Sequence, residues 1–309
     1  MRHVIALDVG GTGMKAALVG TDGSVLHEAH RPTRGEDGPE AVVASVLDFA
    51  ADLRDVGRHR LGEPPAAAGI AVPGVVDDER GIARWSANLG WRDVPLRRLL
   101  AERLGDPDLP VALGHDVRAG ALAEGRSGAG AGCDRFLFVA LGTGIAAALG
   151  TGGRIDAGAH GQAGELGHVV VRPDGPVCGC GRRGCLERIA SASAVARSWA
   201  AAGGDPEAGA AGCARAVDAG DERARAVWSE AIGALADGLV TAVTLLDPER
   251  IVVGGGLAAA GETLFGPLRS AVAERLTFQH TPHIVPAALG ESAGCLGASL
   301  LARDLITRR

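Results

Sequence analysis

Twice in this sequence an apolar stretch runs into a glycine turn and out again into a second apolar stretch. The first is HVIALDVGGTGMKAALVG, the second DRFLFVALGTGIAAALG, about 130 residues later. A turn that short between two apolar segments predicts a pair of strands. Glycines there let backbone N–H groups face an anion with no Cβ in the way. One such turn is equally well read as a plain glycine hairpin. Two of them predict two related lobes, each contributing one phosphate loop: Asp8, Gly10, Gly11 and Thr12 in the first, Gly142, Thr143 and Gly144 in the second. A third glycine turn, Gly254-Gly255-Gly256, closes the β-branched stretch PERIVVGGGL.

The rest of the chain alternates strands and helices, which makes an α/β protein. TDGS is a hairpin turn before the strand SVLHEA. Residues 39–60 carry apolar positions at helical spacing behind Pro39 and Glu40, and end in basic residues that suit the helix dipole. AAAGIAVPGVVDDERGIA reads as two short strands about a Pro-Gly turn, VPLRRLLAERLG as a helix and LPVALG as a strand. His115-Asp116 then opens the alanine-rich helix DVRAGALAEGRSG. RIASASAVARSWAAAG reads as one helix, and a long helix further on stops at Asp247-Pro248. Helix, strand and helix finish the chain.

At 309 residues, two lobes are a better expectation than one. Hydrophobic residues at 47% and charged residues at 22% describe a compact soluble chain. The formal net charge of -6 and the lack of any Lys/Arg run argue against nucleic acid as a partner. No uninterrupted apolar run reaches the roughly 18–20 residues of a membrane span, and the N-terminus lacks a signal-peptide pattern. The expectation is a cytoplasmic protein with no membrane partner.

Three of the six cysteines, Cys178, Cys180 and Cys185, fall within eight residues, and His168 precedes them by ten. Crowded thiols without a metal oxidise readily, whereas three thiolates and an imidazole form a closed zinc set with no open position. The expected metal is therefore structural Zn²⁺. Glu165 and Glu187 bracket the set, so whatever fixes the cysteines also fixes two acids. Cys133, Cys213 and Cys295 are expected to be ordinary buried thiols.

Asp8 at the first glycine turn is placed to meet the Mg²⁺ of a nucleotide, directly or through water. Asp116 follows a strand, where open α/β sheets gather their chemistry. It is a candidate base for a hydroxyl attacking a γ-phosphate, although an Asp there can also simply cap the helix. Asn88, between Trp85 and Trp91, reads either as a polar ligand contact or as a local turn residue. No Gly-x-Gly-x-x-Gly stands at a strand-to-helix turn and no Gly-Lys-Ser/Thr is present, so a dinucleotide fold and a P-loop enzyme are set aside.

Taken in order, Asp8-Val9-Gly10-Gly11-Thr12, Ala71-Val72-Pro73-Gly74, Asn88-Leu89-Gly90-Trp91, Asp116, Leu141-Gly142-Thr143-Gly144, Gly161-Gln162-Ala163-Gly164-Glu165-Leu166-Gly167-His168 and Cys178-Gly179-Cys180-Gly181-Arg182-Arg183-Gly184-Cys185-Leu186-Glu187 resemble the ROK family of bacterial sugar kinases and repressors over essentially the whole chain. The resemblance implies a two-lobed actin-like ATPase (ribonuclease H-like) fold, with sugar in the cleft between the lobes and ATP on the glycine loops. It implies transfer of the ATP γ-phosphate to the 6-hydroxyl of a hexose, glucose first, as in carbohydrate metabolism and glycolysis. Asp116 is then the catalytic base. Asn88, Glu165, His168 and Glu187 are sugar contacts with Gly74 nearby, and His168 can serve zinc with one ring nitrogen and sugar with the other.

This sequence departs from the family pattern in three places. His115 stands where Asn usually precedes the catalytic Asp, which changes one sugar contact and keeps another substrate open: an N-acetylhexosamine, mannose, fructose or a cyclitol. Ala146-Ala147-Ala148 replaces further glycine after the second loop and is expected to narrow the space near the nucleotide. Gly-Thr-Gly-Met-Lys in the first loop resembles the polyphosphate-using glucokinases of the same wider fold; those lack the cysteine loop, so ATP is the expected donor. A non-catalytic sugar-binding regulator is a further alternative, but the retained Asp116 argues against it. The expected lobes are residues 1–115, rejoined by 295–309, and 116–294. The expected assembly is a homodimer or tetramer.

Overall fold

A computed structural model describes residues 2–307. In chain order it contains β1 (His3–Val9), β2 (Gly13–Gly20), β3 (Val25–Pro32), α1 (Pro39–Leu61), β4 (Ala67–Val72), β5 (Val75–Asp77), β6 (Ile82–Ser86), β7 (Trp91–Val94), α2 (Leu96–Leu104), β8 (Val111–His115) and α3 (Asp116–Ser127). There follow β9 (Arg135–Leu141), β10 (Ile145–Thr151), β11 (Arg154–Asp156), α4 (Glu187–Ala190), α5 (Ala192–Ala201), α6 (Gly209–Asp218), α7 (Glu222–Leu246), β12 (Arg250–Gly254), α8 (Glu262–Arg275), β13 (His283–Pro286) and α9 (Ala293–Thr307).

These elements form two compact units. The first takes the chain up to Ala123, then 157–162, then everything from Glu291 onward; the second takes Glu124–Asp156 and Ala163–Gly290. The boundary thus falls inside α3, at 123/124, rather than ahead of it at 115/116.

Each unit is built on a five-stranded sheet of the same order, β3-β2-β1-β4-β8 in one and β11-β10-β9-β12-β13 in the other. In both, the first three strands are antiparallel neighbours and the last two run parallel to the first. The two Gly-Thr-Gly turns therefore hold the same topological place, between the first and second strands of their sheets. Both are closed by a short backbone bond, Gly10 N–H to the Gly13 carbonyl at 2.9 Å and Gly142 N–H to the Gly144 carbonyl at 3.0 Å. The small sheet β5-β6-β7 belongs to the first unit.

Central strands are buried on both faces, which is why β1 and β4 read as continuous apolar runs. In the first unit, Ile5, Leu7, Leu18, Phe49 and Leu100 join one core, while Val4, Ala6, Ala17 and Val19 form another with Cys295, Ala298 and Ala302 of α9. Small residues on that second face bring the helix close to the strands. A side chain at Gly69 would collide with the Ala298 carbonyl. In the second unit, Leu137, Val139, Ile251 and Val253 pack with Trp228, Leu235 and Leu239 of α7.

Asp221 caps α7, accepting from the Arg223 and Ala224 amides at 2.8 and 3.3 Å. The Arg223 side chain is the main reason its carboxyl is held down at about 2. Asp247 ends the helix in a left-handed conformation (φ 45°) just before Pro248. By length and composition α7 is apolar enough to cross a bilayer, but Glu230 and Asp237 interrupt its apolar run, and half of its most apolar stretch is buried inside the protein. The single helix expected after the cysteines is two. Ser191 breaks it, and its hydroxyl accepts from the Ala194 amide at 3.1 Å to start α5. Of the scattered cysteines, Cys213 and Cys295 are buried and Cys133 is half-buried.

Candidate active site and metal centre

In the first unit the parallel strands β1, β4 and β8 end side by side, with Asp8 paired to Ala71 and Val72 to His115. Their C-terminal ends deliver Asp8, Gly74 and His115-Asp116 to one edge of the sheet. That is where side chains and helix N-termini of an α/β sheet can converge on a ligand. Asp116 begins α3, and its Oδ1 accepts from the Val117 amide at 2.7 Å and lies 3.3 Å from His115 Nδ1. His115 is the more buried of the two. Burial first, and the Asp116 carboxylate second, push Asp8 up to about 7 against the opposing charge of Lys15.

Asn88 sits in the turn between β6 and β7, beside the Asp8 loop: a methyl group at Gly11 would stand 3.5 Å from Asn88 Cβ. Gly74 has φ +102°, and a side chain there would run into the Trp85 carbonyl and Ser86. Only glycine lets β4 turn so closely against β6.

The second unit gathers its own candidates. Gly254 pairs with Ala140, which sets the third glycine turn beside the second. At φ +87°, Gly255 packs its backbone on Leu141 with no room for a side chain. Glu187 approaches the second turn, since a methyl at Gly144 would lie 3.0 Å from its Oε2. The methyl groups of Ala147 and Ala148 are buried within the sheet, where Ala147 joins the main core. Ala146, the one of the three nearest the glycine turn, is half-buried.

Between β11 and α4 the chain folds into a compact loop. Val170 bridges to Cys185 and Val177 to Arg183, and the Cys178 amide donates to the Arg182 carbonyl at 2.7 Å. The loop is clamped to α7 by Arg172, which bonds Asp237 at 2.7 Å and Glu230 at 2.8 Å. Arg275 bonds the other oxygen of Asp237 at 2.7 Å.

Within this loop the ligand atoms of His168, Cys178, Cys180 and Cys185 all lie within 4.8 Å of one another. Tetrahedral zinc, with bonds of about 2.3 Å to sulfur and 2.0–2.1 Å to nitrogen, puts neighbouring ligand atoms about 3.5–3.8 Å apart. Cys178 Sγ to His168 Nδ1 and Cys180 Sγ to Cys185 Sγ are both 3.6 Å, so the four side chains fit such an ion. Glu187 Oε1 lies 3.3 Å from Cys178 Sγ and 3.7 Å from His168 Nδ1, while His168 Nε2 faces Glu165 Oε2 at 3.8 Å. The acids expected to border the metal set do border it. Burial pushes the Cys178 thiol up to about 12, and the Arg182 amide pulls exposed Cys180 down to about 7.

The candidates therefore form two groups. Asp8, Gly10, Gly11, Thr12, Gly74, Asn88, His115 and Asp116 belong to the first unit; Gly142, Thr143, Gly144, Glu165, His168, Glu187, Gly254, Gly255, Gly256 and the cysteines belong to the second. One residue went unnoticed in the sequence, and another was noticed only as the last of the Gly-Thr-Gly-Met-Lys run. Arg172 ties the metal loop to the core, and no local pattern marks it. Lys15 faces Asp8 across β1 and β2, and its place two residues past the turn on an alternating strand was a usable signal.

Two sheets of one topology, each presenting a glycine turn at the same point, define a two-lobed actin-like ATPase fold. Residues 4–305 match the ROK family, and the chain belongs to it. Glucokinase of Thermotoga maritima is 37% identical over 319 aligned positions, covering 98% of each chain. The ROK hexokinase of Thermus thermophilus superposes with a TM-score of 0.84 at 34% identity, over 99% of this chain and 100% of that one. A ROK family glucokinase from Streptomyces griseus, solved with glucose and AMPPNP, gives 0.83 at 30% identity, over 98% and 99%.

Proposed function

We propose that this protein is an ATP-dependent sugar kinase that transfers the γ-phosphate of ATP to the 6-hydroxyl of a hexose, with glucose as the substrate. The observation that carries this is Asp116 at the C-terminal end of β8, on the same sheet edge as the Asp8 turn, in a chain 37% identical to a glucokinase. Among the described residues, the hydrogen bond from the Val117 amide and the pairing with His115 both fall on Oδ1 of Asp116, so we assign Oδ2 to accept the proton of the attacking hydroxyl. The sugar oxygen then bonds to the γ-phosphorus as the bond to the leaving ADP oxygen breaks. Backbone amides of Gly10, Gly11 and Thr12 in the first unit, and of Gly142, Thr143 and Gly144 with Gly254–Gly256 in the second, serve the nucleotide. Asp8 would hold Mg²⁺, whose charge offsets that on the transferring group.

For the sugar we assign Asn88, His115 and Asp116, with Gly74 giving room, together with Glu165, Glu187 and Nε2 of His168. Acceptors aimed at several hydroxyls reject an analogue that lacks one, because a buried partner is then left unmatched. Cys178, Cys180, Cys185 and His168 Nδ1 would hold a structural Zn²⁺ that fixes the loop and both glutamates. The proposal includes a cytoplasmic setting, a place in glycolysis and assembly as a homodimer or tetramer.

His115 favours a second reading, in which the preferred substrate is an N-acetylhexosamine, mannose, fructose or a cyclitol. A coupled assay with Mg-ATP and these sugars decides. Turnover of glucose above the others supports the first reading; no turnover of glucose with turnover of another sugar replaces it.

A further inference from the structure

The chain leaves the second unit after Asp156, joins the first for residues 157–162, and returns to the second at Ala163. Four of those six residues are exposed, so little apolar burial holds the excursion in place. A charged hydrogen bond anchors it. Arg118 of α3, two residues past Asp116, donates from Nη1 to the Gly161 carbonyl at 2.8 Å, and a guanidinium donor makes such a bond stronger than a neutral one. Gly161 has φ +68°, and a methyl group there would stand 2.9 Å from the Val76 carbonyl of β5. Its backbone therefore lies close against the first unit. Three residues on, Gly164 is fixed in the second unit: its carbonyl accepts from the Ala147 amide of β10 at 2.7 Å, and a side chain there would collide with the Ala147 carbonyl. Glu165 follows at once. Only four residues of chain, at most roughly 14 Å of it, run from Gly161 to Glu165.

We propose that Arg118 is a positioning residue for the sugar site, holding Gly161 so that the short run beyond it presents Glu165 in a fixed place. Its role is to act on the backbone four residues before a sugar acceptor, and no covalent bond changes in that role. The inference rests on the kinase reading, which assigns Glu165 to the sugar, and adds to it a residue on the Asp116 helix that governs sugar affinity from outside the sugar contacts. The glycine turns assigned to the nucleotide lie outside 157–165, so donor affinity is expected to stay as it is.

The test compares the parent, Arg118→Met and Arg118→Lys in the full chain. Elastase, which cuts after small residues such as Ala157, Ala159 and Ala163, reads the docking of the segment by mass spectrometry. Calorimetry reads the binding of Mg-AMPPNP and of glucose, or of whichever sugar the coupled assay prefers. Arg118→Met keeps an apolar stem but cannot donate. Cutting within 157–163 is expected to speed up about tenfold, and the sugar to bind about tenfold or more weakly, with Mg-AMPPNP within about twofold. Arg118→Lys retains a charged donor and is expected to recover much of both losses, which a residue that merely fills space would not. The proposal is overturned if Arg118→Met is cut no faster than the parent, if it is cut faster but binds sugar as the parent does, if sugar and Mg-AMPPNP weaken alike as general loosening would produce, or if Arg118→Lys restores nothing. A parent that binds none of the sugars contradicts the kinase reading; the cutting arm needs no sugar and keeps that failure apart from an Arg118 that does not hold the segment.

Discussion

His168 turns Nδ1 toward Cys178 Sγ, 3.6 Å away, and Nε2 toward Glu165 Oε2, 3.8 Å away. One ring thus has a nitrogen facing the proposed metal position and a nitrogen on the side of a proposed sugar acceptor. Cys180 is the exposed member of the ligand set, so Cys180→Ser disturbs the core least. Replacing it, or stripping the metal with a chelator, is expected to weaken sugar binding at least tenfold while Mg-AMPPNP affinity stays within about twofold, since even changing the groups that merely orient a metal's ligands costs about 10–100-fold in metal affinity or activity. Sugar affinity retained in a protein shown by metal analysis to hold no zinc would disprove the coupling.

Asp116→Asn keeps an oxygen to accept from the Val117 amide but cannot take a proton. The expected loss in kcat is about 10²- to 10⁴-fold, with sugar KM within a few-fold of the parent. Turnover close to the parent's would remove Asp116 from the role of base.

Asp8 gives a pH-dependent prediction. Its folded-state value is about 7 against 3.8 when solvated, so the folded chain binds the proton more tightly. Below pH 3.8 both states are protonated and nothing is lost. As pH rises from there toward 7 a penalty on folding accumulates, and above 7 it is present in full. Asp8→Asn escapes it and is expected to gain about 2–4 kcal/mol near pH 8, a gain that shrinks to nothing toward pH 4. Thermal melts in EDTA without nucleotide measure this. A melting point at pH 8 equal to or below the parent's is the contrary result. Activity is expected to fall in the same variant, the usual exchange between stability and a strained site.

Gly74→Ala combines a left-handed backbone at φ +102° with a collision against the Trp85 carbonyl. Relief requires β4 and β6 to move apart, next to Asn88. The expected cost is about 1–3 kcal/mol of stability, together with a higher sugar KM and little change in the KM for ATP. Denaturant titration and steady-state kinetics test the two halves; a rise confined to the ATP KM would move Gly74 out of the sugar site.

Much of the fold was legible because glycine turns and apolar runs are local signals. The strands around Gly10–Gly13 and Gly142–Gly144 could be read from a dozen residues each; their duplication pointed to two related lobes, while the shared strand order of the two sheets is visible only in the structure. The metal set was legible for the same reason, with three thiols and an imidazole in eighteen residues. What escaped depends on distant partners. The break at Ser191 turns on a single hydroxyl capping a helix. The burial of Ala147 and Ala148 depends on which face of β10 meets the core. Arg172 matters only because α7 returns, some sixty residues later, to place Asp237 beside it.

The pairing of α9 with the face of β1 formed by Val4 and Ala6 has a consequence for biosynthesis. β1 and β2 leave the ribosome long before α9, so part of one of their two faces stays uncovered until that helix emerges. The second unit is interrupted only by 157–162 and can close its core earlier. Nascent chains arrested before Ala293 should therefore show a protease-resistant fragment from the second unit while the N-terminal strands remain open to cleavage and to chaperones that bind exposed apolar segments.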